Sequence, residues 1–275
     1  MRFLCFIFCL FTFPAALGAA DNTAEIPLQP HKALYQIKLT ATHSGAQIVN
    51  VSGKMFYELN ATCEAWITDH RFNLRYDYVE TPSVKVKSNF STYETFDGKE
   101  FNFTSTRRRN GTIIEELKGH AESHDDGGVA TFSQPPELSF ALSETTSFPM
   151  EHTLALIRKA RQGDTLYQNT VFDGSDDEGP VSINAFIGGK VNALALLPGS
   201  EKINVNLLNT KARRYRLAFF PMLEDTVSPD YEMEMVLHDN GVVSDMLVEY
   251  DTFSVTQTLV ALEKKEKPAC IKGSE

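Results

Sequence analysis

The chain has 275 residues, 42% of them hydrophobic, 11% aromatic and 23% charged. That balance excludes a disordered segment and a collagen-like fibre, and it leaves enough apolar mass for a sizeable core. The net charge of -10 argues against a nucleic-acid binder, which needs excess Lys and Arg to displace counterions, and against attraction to an anionic membrane surface.

The N-terminus reads as a targeting segment. Met1-Arg2 is positive, Phe3 to Phe13 is apolar, Pro14 follows, and Ala15 to Ala20 is mostly small residues. This is the layout of a secretory signal peptide, with the cut expected between Ala20 and Asp21. An uncleaved anchor is the alternative, but the apolar run falls short of the ~20 residues needed to cross ~30 Å of hydrocarbon. No later stretch reaches that length, so no transmembrane anchor is expected after signal removal. The expected division is a signal peptide over 1–20 and a single β-rich exported domain over 21–275. Cleavage removes Arg2 alone and leaves 25 Lys and Arg against 36 Asp and Glu, a net charge of -11.

Of four cysteines, Cys5 and Cys9 leave with the signal, and Cys63 and Cys270 remain. In an oxidising compartment two thiols have one intramolecular pairing, a structural disulfide; two separate buried thiols are the alternative. A bridge would close a loop of 207 residues, worth roughly 5 kcal/mol at most in the chain-entropy model. It would also hold the tail Lys264 to Pro268, which has no apolar face.

Along the exported domain the hydrophobic period is two. Ala33, Tyr35, Ile37, Leu39 and Ala41 share one face, and Met55, Tyr57 and Leu59 repeat the pattern, as in strands with one wet face. Trp66, Phe72, Leu74 and Tyr76 are in phase. Asp97-Gly98 and Asn110-Gly111 suit type I′ hairpins, and Gly127-Gly128 makes a further break. Later, Tyr231, Met233, Met235 and Leu237 alternate with polar residues, Asn240-Gly241 turns the chain, and a phase flip at Asp251-Thr252 implies a bulge, bend or turn. One helix is expected. Ser147 stands at or just outside its N-cap, Pro149 in its first turn and Gly163 at C′, with Met150, Leu154 and Ile157 as its apolar stripe. The predicted fold is mainly β: a large antiparallel sheet rolled into a spiral or barrel-like structure around a central helix, with one disulfide.

Several motifs invite chemistry. Asp173 to Gly179 is the densest acid cluster, yet Glu178 and Asn184 stand where a calcium loop needs Gly and Glu, so a solvated hairpin loop is favoured. His120 and His124 have metal-clamp spacing on a helix but lack a third ligand and read as a polar loop. Arg107, Arg108 and Arg109 are a candidate binding site for an acidic partner, phosphate or lipid headgroup, against a solvated hairpin tip. Neither remaining Cys lies in a C-x-x-C pair, and no hydrolase, P-loop or dinucleotide fingerprint is present. No catalytic, metal or cofactor residue is assigned and no cofactor is expected. An envelope hydrolase built on paired carboxylates is the least favoured reading.

Pro30 to Tyr35, Ser52 to Tyr57 running into Cys63 to Trp66, Arg71-Phe72, Phe148 to Thr153, Val171 to Ser175 and the terminal Cys270 together resemble the bacterial cell-envelope integrity protein EipB family. The resemblance runs from about residue 28 to the C-terminus. It implies a periplasmic, non-enzymatic protein of Gram-negative bacteria with a spirally rolled sheet around a helix and a Cys63–Cys270 disulfide. It also implies a role in envelope maintenance with a periplasmic protein partner carrying tetratricopeptide repeats. No catalytic residues follow from it. Binding of a lipid or peptide, including carriage of a lipid or lipoprotein acyl chain in a β cup, stands as the alternative.

Overall fold

One-sided burial organises the chain from its first strand. In β1 (His31–Thr42) the odd residues Ala33, Tyr35 and Ile37 are buried, while Lys32, Gln36 and Lys38 face outward. The structure is a computed structural model and describes residues 26–270 except 198, 200 and 223–226. The sheet continues through β2 (Ile48–Ala61), β3 (Ala65–Tyr78), β4 (Val84–Thr95), β5 (Glu100–Arg109), β6 (Thr112–His124), β7 (Gly127–Gln134), β8 (Ser139–Leu142) and β9 (Thr146–Ser147). Helix α1 (Pro149–Gln162) interrupts it. Then come β10 (Leu166–Val171), β11 (Val181–Val191), β12 (Ala212–Pro221), β13 (Tyr231–His238), β14 (Val243–Tyr250) and β15 (Phe253–Lys264).

All fifteen strands form one sheet, in the order β8-β7-β6-β5-β4-β3-β2-β1-β15-β14-β13-β12-β11-β10-β9. Every pairing is antiparallel except β9 with β10. The two terminal strands, β8 and β9, are neighbours in sequence, and Ser143 and Thr146 bond across the short turn between them. The sheet is therefore rolled almost shut, as an apolar inner face requires when nothing else can cover it.

Closure rests on aromatic packing. Phe148 and Phe172, from the β9–β10 end, enter a cluster formed by Phe101, Phe103, Leu117 and Phe132 on the inner face of β5–β7. Phe101 stacks on Phe148 at 5.0 Å and Phe103 meets Phe172 edge-on at 5.6 Å. Two glycines make room for the Phe103 ring. A Cβ on Gly119 would lie 2.3 Å from it and one on Gly174 2.5 Å, and Gly174 also has a φ of +65.

Helix α1 lies against the larger core. Met150, Leu156, Ile157 and Ala160 pack with Tyr35, Met55, Leu217 and Met235. Of the expected stripe, Met150 and Ile157 are buried and Leu154 is half-buried, and burial extends to His152, Ala155 and Leu156 because the sheet wraps more than one side of the helix. Phe148 is the N-cap with Ser147 just outside it, Pro149 opens the helix, and Gly163 closes it with a φ of 92.

Local expectations fare unevenly. Asn110 and Gly111 both have positive φ, as a type I′ turn needs. At Asp97-Gly98 only Gly98 does, and the connection is a four-residue loop. The flip at Asp251-Thr252 is the β14–β15 turn. His120 and His124 lie in strand β6, not in a loop, and Gly119 beside them leaves room for the Phe103 ring. Asp173 to Gly179 is the loop between β10 and β11, and Asp173 and Asp176 accept the backbone N–H groups of Ser175 and Glu178.

Phe172→Ala removes the ring that joins the two ends of the sheet. It should cost about 3–5 kcal/mol in urea unfolding. A cost below about 1 kcal/mol would place closure elsewhere.

Candidate functional site: the cleft beside the disulfide

Cys63 and Cys270 are joined, with Cα atoms 5.5 Å apart. Cys63 lies in the β2–β3 turn and Cys270 in the tail that follows β15. The tail is tied down further by Lys265 N–H to the Pro30 carbonyl at 2.9 Å and by an ion pair between Lys265 and Glu58. The ammonium of Lys267 sits over the Trp66 ring, 5.9 Å from its centroid. Turn and tail, which share no ladder, are thus held together, and helix α1 lies alongside them.

Between them lies a cleft of about 460 Å³, within the ~300–1,000 Å³ of small-ligand sites. Its apolar wall is Trp66, Phe96 and Leu154, and the disulfide forms one side. Trp66 and Phe96 meet edge-on at 4.8 Å. Arg158, Arg161 and Lys267 bring positive charge to it. Arg158 pairs with Glu151 and Arg161 approaches Asp239 at 3.5 Å. The arrangement offers aromatic surface beside cations, suited to an extended peptide or an amphiphile with an acidic end.

The helix that walls the cleft is anchored by Glu94. This inward-facing residue of β4, beside Trp66 in register, accepts the N–H of Met150 at Oε2 and of Glu151 at Oε1, both at 2.7 Å. Burial raises its carboxyl to about 8, against the pull of those two donors. The other side of the helix borders an interior cavity of about 170 Å³ lined by Met55, Met150, Met235 and Met246 among others. The helix thus fills much of the space that a β cup would otherwise offer.

Alternation of the strand splits the arginine triplet. Arg107 points inward and bonds Glu115 at 2.9 Å. Arg108 faces outward beside Lys87, and Arg109 is exposed at the hairpin tip. The three do not form one site. His120 bonds Asn102 and Glu122, and among the described residues no group of three His, Cys, Asp or Glu could hold a metal ion. The expected cut between Ala20 and Asp21 lies outside the described residues. The sequence reading missed Glu94, Trp66 with Phe96 as a pair, and the outward cations Lys54 and Lys87. One signal for Glu94 was present: a helix opening on Phe148-Pro149 has no acceptor of its own.

Two outcomes follow from these contacts. Cys63→Ser frees the tail and should lower the melting temperature by several degrees; equal melting of oxidised and reduced protein would show that the bond holds nothing. The second concerns pH. Burial lowers His70, His152 and His238 to about 4, and His31 in the same direction. The unfolded chain therefore binds more protons between 6.5 and about 4, and stability drops as pH falls through that window. Glu94 acts with the opposite sign, since its raised carboxyl favours the fold most at low pH. Asp176, raised by burial to about 6, and Asp245, raised in the same direction, act as Glu94 does. The four histidines outweigh these three carboxyls, so the melting temperature should fall from about pH 7 to about pH 5. A flat or rising profile on acidification would contradict neutral buried imidazoles.

Comparison with known proteins accounts for this architecture. The family model described as EipB-like matches residues 22–266. The chain is 31% identical over 270 residues to the cell envelope integrity protein EipB of Brucella abortus (strain 2308), covering 96% of this chain and 95% of that one. It is also similar to the crystal structure of a β-barrel-like protein of domain of unknown function DUF1849 from Brucella abortus. There the TM-score is 0.81 and the identity 29%, over 88% of this chain and all of the other. The rolled sheet and the extent of these matches leave one assignment: the chain belongs to the EipB-like family.

Proposed function

We propose that this protein is exported to the periplasm and maintains cell-envelope integrity by binding another envelope component, without catalysing a reaction. Family membership supports the envelope role. The observation that carries the binding mode is the 460 Å³ cleft, with Trp66, Phe96 and Leu154 facing Arg158 and Lys267 beside the disulfide. Aromatic and cationic side chains held rigid in a recess are the usual anchors of a protein interface. The partner is a periplasmic protein; one with tetratricopeptide repeats, whose paired helices present grooves and loops, is the first to try. The signal-like N-terminus supports the location.

A second reading is carriage of a lipid or lipoprotein acyl chain. It draws on the methionine-lined interior cavity, whose side chains adapt in shape. That cavity measures about 170 Å³, below the ~300–1,000 Å³ of ligand sites, so the chain would have to displace part of the helix.

A photo-crosslinking residue at Phe96 in cells should capture a discrete envelope protein, and one at Phe186 on the outer surface should not. Trp66→Ala/Leu154→Ala should abolish capture and, like deletion of the gene, sensitise cells to detergent and cell-wall antibiotics. No capture at Phe96, or equal capture at both positions, would sink the cleft. Lipid recovered from the purified protein by extraction and mass spectrometry would favour the carrier.

A further inference from the structure

The pairing register gathers cations that the sequence keeps apart. Lys54, Asn73, Lys87 and Arg108 stand directly across from one another on β2, β3, β4 and β5. Lys38, Arg75 and Lys85 form the next row towards the β3–β4 turn, and Arg71 lies on the other side, over the Phe56 ring at 5.4 Å. At ~4.8 Å between strands and ~6.8 Å between alternate residues, the seven cations cover a face on the order of 15 Å square. Asp77, bonded to Arg75 at 2.8 Å, stands one row beyond these two, opposite Asn50. Among the described residues Lys54, Arg71, Lys85, Lys87 and Arg108 have no ion-pair partner within 4.0 Å. Two shallow grooves of about 310 and 450 Å³ meet at Lys87 and Arg108.

Apolar side chains border the same face. Ile113 stands directly opposite Arg108, and at the barrel end formed by the β1–β2, β3–β4 and β5–β6 turns Val49, Val79 and Ile114 are exposed, Val79 by 61% and Ile114 by 54%. Cations that neutralise headgroups beside aliphatic tips that enter the acyl boundary are the two elements of reversible membrane attachment. An acidic protein would need the cations but not the tips.

We propose that the outer face of β2–β5 docks this protein onto an anionic phospholipid surface, with Lys54, Lys85, Lys87 and Arg108 on the headgroups and Val79 and Ile114 at the membrane boundary. The net charge of -10 does not oppose this. Screening limits charges to a range of about 8–10 Å, so the lipid meets the local cations and not the acids elsewhere on the barrel. This face is separate from the cleft, and either can fail without the other.

The test is co-sedimentation of the purified protein with phosphatidylcholine vesicles, with and without phosphatidylglycerol. Binding should require phosphatidylglycerol, weaken with added salt, and fall about 30-fold in Lys87→Glu/Arg108→Glu. Lys54→Glu/Lys85→Glu should repeat the loss from other positions, and Lys190→Glu, on β11, should change binding little. Circular dichroism confirms that each variant is folded, and the salt titration needs no variant. No binding to either vesicle overturns the proposal, as does binding that survives both double reversals or that Lys190→Glu weakens as much. Capture of an acidic protein while vesicles stay unbound overturns it too.

Discussion

The carboxyl group of Glu94 accepts the first N–H groups of a helix that begins 55 residues later in the chain. Phe148 caps α1 without a side-chain acceptor, and the N–H groups of a first helical turn must be satisfied when they are buried. Glu94 takes two of them, one on each oxygen. The positive end of the helix dipole in turn offsets the cost of a carboxyl in a buried setting. Strand β4 and the helix are therefore fixed relative to each other by polar bonds that tolerate little displacement. Everything inside the barrel is arranged around that fixed helix.

The consequence is a division of the interior. Met150, at the anchored end, faces the small methionine-lined cavity, while Leu154 and Arg158, one and two turns on, face the cleft. Trp66 is Glu94's neighbour across the β3–β4 ladder, so the residue that orients the helix adjoins the ring that floors the cleft. The disulfide completes the third side. Its 207-residue span lets it constrain the tail without competing with the sheet for hydrogen bonds. A tail of lysines and a proline has no apolar face with which to dock, so the disulfide, the polar bonds of Lys265 to Pro30 and Glu58, and the Lys267–Trp66 contact do what burial cannot.

Strand periodicity was legible because a sheet with one buried face marks every second residue, as β1 shows. The β5–β6 turn was legible because Asn110-Gly111 satisfies a local backbone demand. Glycines were harder to read. Gly119 and Gly174 look like breaks or loop residues, yet each leaves space for the ring of Phe103, a constraint set by a residue on another strand. The same limit hid Glu94: in β4 it reads as one more polar strand residue, and only the roll of the sheet shows that its side chain points inward. The cleft was illegible for a similar reason, since its walls come from a turn, a helix and a tail.

Charge obeys the same geometry. The run Arg107-Arg108-Arg109 suggests one basic site, but a strand sends neighbours to opposite faces, and Arg107, on the inward face and partly exposed, is spent on Glu115. Arg108 gains its significance from Lys87 and Lys54, which are 21 and 54 positions away in sequence and one and three strands away in space. A total of -10 therefore describes no particular face of the molecule. The cleft lies at the end of β2–β4 where Cys63 and Phe96 sit, and the basic rows extend towards the opposite turns. The two proposed contacts, lipid at the basic rows and a partner at the cleft, are compatible in one molecule, because the sheet between them is continuous and its strands span the distance without a hinge.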